Sequence, residues 1–354
     1  MSYGPQHITA QILSDLEEIN QNSAPDLEEI VNKPLVITGA SGFVGTWLTL
    51  SWVAAHKKFN GRGQLLITSR NPQSLIPLIE VINPRSPITA LASDIRTLHI
   101  PSDFRDGNLI HAATPASAAL NSSDPASMLK VIIEGQERVL AEAVRMNLKV
   151  LFLSSGAVYG RQPLDLKYLP ETWEGAPQIG DSNSAYHEGK RVAELMGNIA
   201  ATKQGLHFIT ARLFAFIAPF LPLDTHFAAG NFIQDAVTAN QIQIQSGGGS
   251  IRSYLYATDL CSSLWALQGR GNTMRAYNVG SEHEVSIRQL ANEIVSCTNK
   301  DAQVVVNGID TSENVTRYVP SVERIRKESG FAQSVPLQQA LLRTLTWLEE
   351  TEIQ

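Results

Sequence analysis

The chain has 354 residues, 43% of them hydrophobic and 18% charged, with a formal net charge of −6. That length can bury a full α/β core and a second, smaller lobe. The acidic balance argues against a nucleic-acid surface, which needs a basic stripe. The two cysteines, Cys261 and Cys297, form no CxxC pair, so neither a zinc site nor a disulfide framework is expected, and no metal. No apolar run reaches the roughly 18 residues of a membrane span, and the first residues lack the basic-then-apolar order of a signal peptide. The expectation is a cytoplasmic protein with no nucleic-acid and no membrane partner.

In chain order, residues 1–33 come first. Ile8, Ile12, Leu13, Leu16 and Ile19 recur at helical spacing and predict an amphipathic helix in an N-terminal extension. From Leu35 short apolar runs alternate with longer helical stretches. Strands are predicted at Leu35–Thr38, Leu65–Thr68, Thr89–Ala92, Leu109–His111, Val150–Ser154 and His207–Arg212. Such alternation marks βαβ units, hence an α/β fold with a doubly wound parallel Rossmann sheet. After Arg212 the rhythm breaks at Pro219 and Pro222. A helix is expected over Phe232–Ala239, a glycine-rich turn at Gly247–Gly249, strands at Ser253–Tyr256 and Tyr277–Val279, and helices at Ser286–Ser296 and Leu337–Glu349. The division this implies is a dinucleotide-binding domain over 34–215 plus about 251–283. A smaller C-terminal substrate-binding lobe takes about 216–250 and 284–354.

The first strand runs into Thr38-Gly39-Ala40-Ser41-Gly42-Phe43-Val44-Gly45 and then a helix predicted over Thr46–Ala55. In such a turn Gly39 permits the tight bend, Gly42 lets the backbone approach a pyrophosphate and Gly45 allows close helix–strand packing. The helix N-terminus offers free amides and a positive dipole end to phosphate. Strand, turn and helix together are the context that makes this an NAD(P) site rather than a bare glycine pattern. The second strand ends in Thr68-Ser69-Arg70-Asn71, with an arginine and no acid. An acid would bind a ribose 2′-hydroxyl and an arginine a 2′-phosphate, so NADP is slightly favoured over NAD; the alternative is that Arg70 lies against adenine or faces solvent. Asp94 is placed either to hydrogen-bond an adenine amine or to cap the next turn.

Further on, Ser155 stands at the carboxyl end of the Val150–Ser154 strand, directly after it, and Tyr186 and Lys190 stand four apart, on one helix face. A free tyrosine, with a pKa near 10, is a poor base at neutral pH. A neighbouring ammonium stabilises its phenolate, and Tyr186 then takes a proton from a sugar hydroxyl while Ser155 binds the same oxygen. His187 points off that face and is expected at the surface.

The motifs TGASGFVG at 38–45, SDI at 93–95, HAAT at 111–114, SSGAVYG at 154–160, YHEGK at 186–190, RSYLYATDL at 252–260 and YNVGS at 277–281 resemble the extended short-chain dehydrogenases, the NAD-dependent epimerase/dehydratase family. The resemblance runs from about Leu35 to Trp347. SAYHEGKRVAE looks most like UDP-glucuronate decarboxylases, and other motifs like UDP-glucose 4-epimerase relatives. The resemblance implies a catalytic triad of Ser155, Tyr186 and Lys190. It also implies cofactor contacts from the glycine turn, Asp94, Ile95, Ala112, Ala113 and Thr114, and nucleotide-sugar contacts from Asn231 and Arg252. A surface salt bridge for Arg252 and a helix cap for Asn231 are the alternative readings. The helices near Ser127–Met146 and Ala185–Ala201 match those that form a dimer interface in the family, so a homodimer is expected, with polysaccharide synthesis as the family's usual pathway. One departure decides more than the matches. Family dehydratases have an Asp-Glu pair and decarboxylases a glutamate after the catalytic hydroxyl; here stand Gly156 and Ala157. Elimination then lacks its acid and base, which favours a 4-epimerase, with an NADPH-dependent 4-ketoreductase as the alternative and a dehydratase or decarboxylase behind both. Ala215 and Ala218-Pro219 stand where the family often has Asn and Gly-Pro, so the loop beside the nicotinamide is expected to differ. A non-catalytic dinucleotide sensor is disfavoured because the Tyr/Lys pair is kept.

Overall fold

The computed structural model describes residues 3–114, 118–223, 228–239, 241–298, 302–311 and 314–352. Its centre is a sheet of seven strands, all parallel. Six are β1 (Leu35–Thr38), β2 (Leu65–Ser69), β3 (Ile88–Ala92), β4 (Asn108–His111), β5 (Lys149–Ser155) and β6 (Phe208–Leu213); the seventh is Arg275–Val279. The seventh strand begins the spatial order, followed by β6, β5, β4, β1, β2 and β3. The order therefore reverses between β1 and β4, and the carboxyl ends there open the crevice where such sheets bind ligands.

Side-chain alternation splits the core in two. Leu35, Ile37, Leu65 and Ile67 face one cluster, while Val36, Leu66, Leu109 and Phe152 face the other. The first cluster is closed by α1 (Ala10–Asn22), α2 (Ala24–Ile30), α3 (Phe43–Lys58) and α4 (Ile76–Ile82). The second is closed by helices that follow α5 (Ala118–Ser123), namely α6 (Pro125–Met146) and α7 (Ala185–Gln204).

The helix α3 is apolar almost all round, with Trp47, Leu48, Leu50, Trp52 and Val53 all buried. A helix beside a sheet normally keeps a polar face. Here α1 covers that face and also packs on the helix Ala257–Arg270. Ile12, Leu16 and Ile19 are buried as the spacing predicts, but Leu13 is 47% exposed. Asp15 of α1 accepts from Tyr256 Oη at 2.5 Å and pairs with Arg343 at 2.8 Å, which ties the extension to the last helix, Leu337–Glu352.

Past β6, Ala215–Ile217 pairs with Tyr254–Tyr256 and Gln241–Ile244 with Gln303–Val306. Ile251–Arg252 lies between Val285–Ser286 and Arg317–Tyr318. This last small sheet matters for the site because it brings residues near 318 to the end of β5.

Candidate active site

The turn after β1 has Gly39 at φ +67°, in the left-handed region. A Cβ there would stand 2.7 Å from the Ala112 carbonyl carbon and the Ala113 Cα, so only glycine allows β1 and β4 to run so close. Gly45 meets the same limit: its Cβ would lie 2.3 Å from the Gly39 carbonyl oxygen. The helix begins at Phe43, three residues before the sequence suggests, with Gly42 as its N-cap and no side chain capping it. The first-turn amides, beside Ser41 and Val44, are thus left for an anion, and the residues present fit a dinucleotide pyrophosphate.

Ser41 Oγ donates to Ser69 Oγ at 2.9 Å, joining the glycine turn to the end of β2. Arg70 follows and is exposed. Asp94 caps the turn Ile95–Thr97 through the Arg96 amide and takes the Arg96 guanidinium on both oxygens, at 2.9 and 2.7 Å. Hydrogen bonds from Arg96 pull its carboxyl down to about 2. Of the two readings of Asp94, the cap is the one the structure displays.

At the crevice, α7 starts on an anchored turn. The Tyr186 amide donates to Asn121 Oδ1 at 3.1 Å, and Asn121 Nδ2 donates to the Asn183 carbonyl. Tyr186 stands in the first turn of α7 near Ser155, the last residue of β5. Burial raises the Tyr186 phenol above its ordinary value, and the Ser155 contact opposes that. Lys190 lies one turn on, buried, its ammonium donating to the Thr114 hydroxyl at 2.8 Å and the Leu153 carbonyl at 2.6 Å. Burial pushes this lysine down to about 7, opposed by Glu194. The sequence had the ammonium acting on the phenol; here it is held between β5 and the loop after β4. His187 is half-buried rather than at the surface, its ring edge-on to that of Tyr186 at 5.9 Å.

Beneath the crevice, His111 Nδ1 meets Thr38 Oγ1 at 2.7 Å, and Thr38 Oγ1 also accepts from the Ala113 amide. Burial, reinforced by Lys190, pushes His111 down to about 3, so it is neutral at ordinary pH. Behind Lys190, Glu194 Oε1 accepts from Ser154 Oγ at 2.5 Å and Glu194 Oε2 holds Arg212 at 2.6 Å. Arg212 stacks 4.7 Å over the Tyr159 ring, whose hydroxyl donates to Asn278 Oδ1. Tyr186, Lys190 and Glu194 fall at successive four-residue steps, so one helix face bears base, cation and counter-ion.

A sequence model of the NAD dependent epimerase/dehydratase family matches residues 35–280. The chain belongs to that family. UDP-glucuronic acid decarboxylase 1 of Xenopus tropicalis is 27% identical over 333 residues, covering 92% of this chain and 74% of its own. UDP-glucuronic acid decarboxylase 1 of Arabidopsis thaliana is 25% identical over 317 residues, covering 88% and 69%. Among solved structures, UDP-glucose 4-epimerase with UDP-glucose from Thermotoga maritima superposes with a TM-score of 0.75 at 19% identity, covering 90% of this chain and 99% of that one. The dTDP-glucose 4,6-dehydratase DesIV of Streptomyces venezuelae, with NAD and TYD bound, gives 0.76 at 18%, covering 90% and 98%. These two share the fold.

In this member of the family, Gly156, which follows Ser155, is buried. A Cβ there would lie 2.6 Å from both Phe214 Cζ and the Tyr318 hydroxyl, so the space a side chain would need is already filled. Sequence reasoning missed Tyr318, which nothing local marks; it enters from Arg317–Tyr318 and brings its hydroxyl over Gly156, beside the Leu213 carbonyl at 3.5 Å. Arg252, its partner in the register, donates to the Ile251 and Thr316 carbonyls and to Thr316 Oγ1. Arg252 is thus near the Ser155 cluster, in backbone contacts rather than a surface salt bridge. Asn231 is exposed on α8 (Ala228–Thr238), away from those contacts and inside the helix rather than at its cap. Among the described residues no group of His, Cys, Asp and Glu is arranged to hold a metal, and no helix is long and apolar enough to cross a membrane.

Proposed function

We propose that the protein is an NAD(P)-dependent enzyme acting at C4 of a nucleotide-hexose, as a 4-epimerase. The observation that carries this is the placement of Tyr186 at the start of α7 and Ser155 at the end of β5 beside a dinucleotide turn, with no carboxylate and no room for one at Gly156. Gly39, Ser41, Gly42, Phe43, Val44 and Gly45 would hold the pyrophosphate, with Arg70, Asp94 and Ile95 towards the adenosine. Ala112, Ala113, Thr114 and Lys190 would line the nicotinamide end. The nicotinamide supplies a hydride acceptor and donor when bound. Tyr186 takes the proton of the sugar O4 as C4 gives up its hydride, leaving a 4-keto sugar. Ser155 hydrogen-bonds the same oxygen throughout. Tyr186 then returns the proton as hydride comes back to the other face of C4, which inverts it. The lobe over about 216–250 and 284–354 would take the nucleotide-sugar, with Asn231 and Arg252 on the diphosphate or base.

Two other readings have an observation each. Arg70, exposed at the end of β2 with no acid beside it in sequence, favours NADPH and hence a 4-ketoreductase. The decarboxylase names of the relatives favour that reaction, with a carboxylate drawn from elsewhere in the chain. Denaturing the purified protein and identifying released nucleotides by mass spectrometry separates the first two. Stoichiometric bound NAD supports the epimerase and removes the case for Arg70 as a 2′-phosphate ligand. An empty protein that binds added NADPH overturns the epimerase in favour of the reductase. Carbon dioxide release from UDP-glucuronate would overturn both.

A homodimer through α6 and α7 belongs to the same proposal. Val192, Leu195 and Ile199 project from the outer face of α7, with Leu195 59% and Ile199 52% exposed. Three aligned apolar side chains on a helix whose other face is already packed favour a helical partner.

A further inference from the structure

Just after the strand Ala215–Ile217 the chain makes one strained turn. The Leu221 amide donates to the Ala218 carbonyl at 3.3 Å, which closes Ala218-Pro219-Phe220-Leu221. Phe220, third in the turn, has φ +66°. A four-residue turn with a positive φ at its third position ordinarily takes glycine or asparagine there, and a bulky residue stays in that conformation only when its surroundings hold it.

Much of what holds it comes from the first residues of the chain. Phe220 is 2% exposed. Its ring stands edge-on to those of Tyr3 at 4.9 Å, Trp347 at 5.0 Å and Trp47 at 5.8 Å. The two middle carbonyls of the turn are both taken. Tyr3 Oη donates to that of Phe220 at 3.2 Å, and Trp47 Nε1 to that of Pro219 at 3.0 Å. Trp347 Nε1 donates to the His7 carbonyl at 3.0 Å, so the last helix grips the segment that grips the turn. Asp15 holds the neighbouring strand as well, because Tyr256, its hydrogen-bond donor, lies in register with Ile217.

The same stretch of chain meets the start of α3. Phe43 is the first residue of that helix, and its ring lies 6.2 Å from that of Phe216. Trp47, which bonds the Pro219 carbonyl, stands one helical turn further on. A phosphate site made of first-turn amides gains affinity from being held in place before its ligand arrives.

We propose that the segment Tyr3–His7 locks the Ala218–Leu221 turn and, through Phe216 and Trp47, fixes the start of α3 on which a dinucleotide pyrophosphate would rest. This rests on the NAD(P) reading of the glycine turn. Tyr3 and Phe220 are positioning residues in this arrangement, and the N-terminal extension becomes a part of the cofactor site that acts from behind it.

The test compares Tyr3→Ala, which removes ring and hydroxyl, with Tyr3→Phe, which removes the hydroxyl alone. Leu206→Ala, in the core cluster on the other face of the sheet, controls for general loss of stability. Dissociation of NADH or NADPH is followed by stopped-flow fluorescence, well below the melting temperature of every variant. Tyr3→Ala should release the dinucleotide roughly tenfold faster, the effect of about one hydrogen bond and one aromatic contact. Tyr3→Phe should give a smaller rise and Leu206→Ala none. An unchanged rate in Tyr3→Ala, or an equal rise in Leu206→Ala, overturns the proposal. Hydrogen–deuterium exchange of the ligand-free proteins gives a readout that needs no cofactor. Peptides covering 215–222 and 40–48 should exchange faster in Tyr3→Ala than in the wild type or Leu206→Ala; unchanged exchange over 40–48 overturns the proposal. If the wild type holds neither NADH nor NADPH, the NAD(P) reading fails, and the exchange comparison still decides whether the segment locks the turn.

Discussion

Replacing Glu194 with glutamine removes one charge from the wall behind Lys190. Glu194 and Arg212 expose only 10% and 17% of their side chains, and their bond is 2.6 Å. Burial works against the charge of Arg212, and its hydrogen bond to Glu194 offsets that and raises its pKa. Breaking such a buried pair from one side leaves an uncompensated charge and typically costs about 3–5 kcal/mol. The Ser154 hydroxyl, donating to the same carboxylate, meets a weaker acceptor in the amide. For a chain of this size the thermal midpoint should fall by roughly 4–7 °C. There is a second consequence. Glu194 is the charge that opposes the desolvation of Lys190, so without it the lysine should titrate below its present value of about 7. Activity that needs the ammonium should then be recovered on acidification, to a lower pH than in the wild type. Differential scanning calorimetry and a pH–rate profile read both effects. The double variant Glu194→Leu, Arg212→Met should restore much of the stability but not the lysine's titration. A melting temperature within error of the wild type, or an unshifted profile, would refute the reasoning.

Three other outcomes follow from the same structure. Gly39→Ala puts a side chain at φ +67° and a Cβ 2.7 Å from Ala112, so about 1–2 kcal/mol of backbone strain adds to a backbone clash. Dinucleotide affinity by isothermal titration calorimetry should fall with the melting temperature; unchanged affinity would contradict this account of the turn. His111 is held near 3 when folded against an ordinary 6.5. A base with a depressed folded pKa keeps its contribution above the unfolded value and loses it as pH falls towards the folded one, here by about 1.4 kcal/mol per pH unit between those limits. Urea titrations from pH 7 to 4 should therefore show a steeper loss of stability than in His111→Asn, and parallel curves would sink the idea. Leu195→Glu with Ile199→Glu should turn a dimer into a monomer in sedimentation equilibrium without lowering stability; a wild type that is already monomeric would remove the homodimer from the proposal.

The strands of the central sheet were legible because each is a short run of β-branched and aliphatic residues bounded by turns, and each of the six predicted lies within a residue or so of its observed limits. The glycine turn was legible for the same kind of reason: a left-handed backbone and a close strand leave few residue types. What sequence spacing could not give was the effect of cover. Leu13 belongs to the helical pattern yet is exposed, because α1 packs through Ile12, Leu16 and Ile19. His187 lies off the catalytic face yet is half-buried, against the Tyr186 ring. Glu194 had a signal that was available, the third step in the series begun by Tyr186 and Lys190. Tyr318 had none, since it reaches Gly156 only through the register of a two-residue strand with Arg252.

The central claim is that Tyr186 moves a proton on the oxygen of a sugar carbon that gives up hydride. The direct measurement compares UDP- and dTDP-hexoses, unlabelled and deuterated at C4, with the wild type and with Tyr186→Phe. The account predicts turnover with a primary isotope effect at C4 in the wild type. It predicts loss of turnover in Tyr186→Phe by about 100-fold or more, with dinucleotide binding intact. Turnover that survives in Tyr186→Phe, or proceeds without breaking the bond at C4, would contradict it.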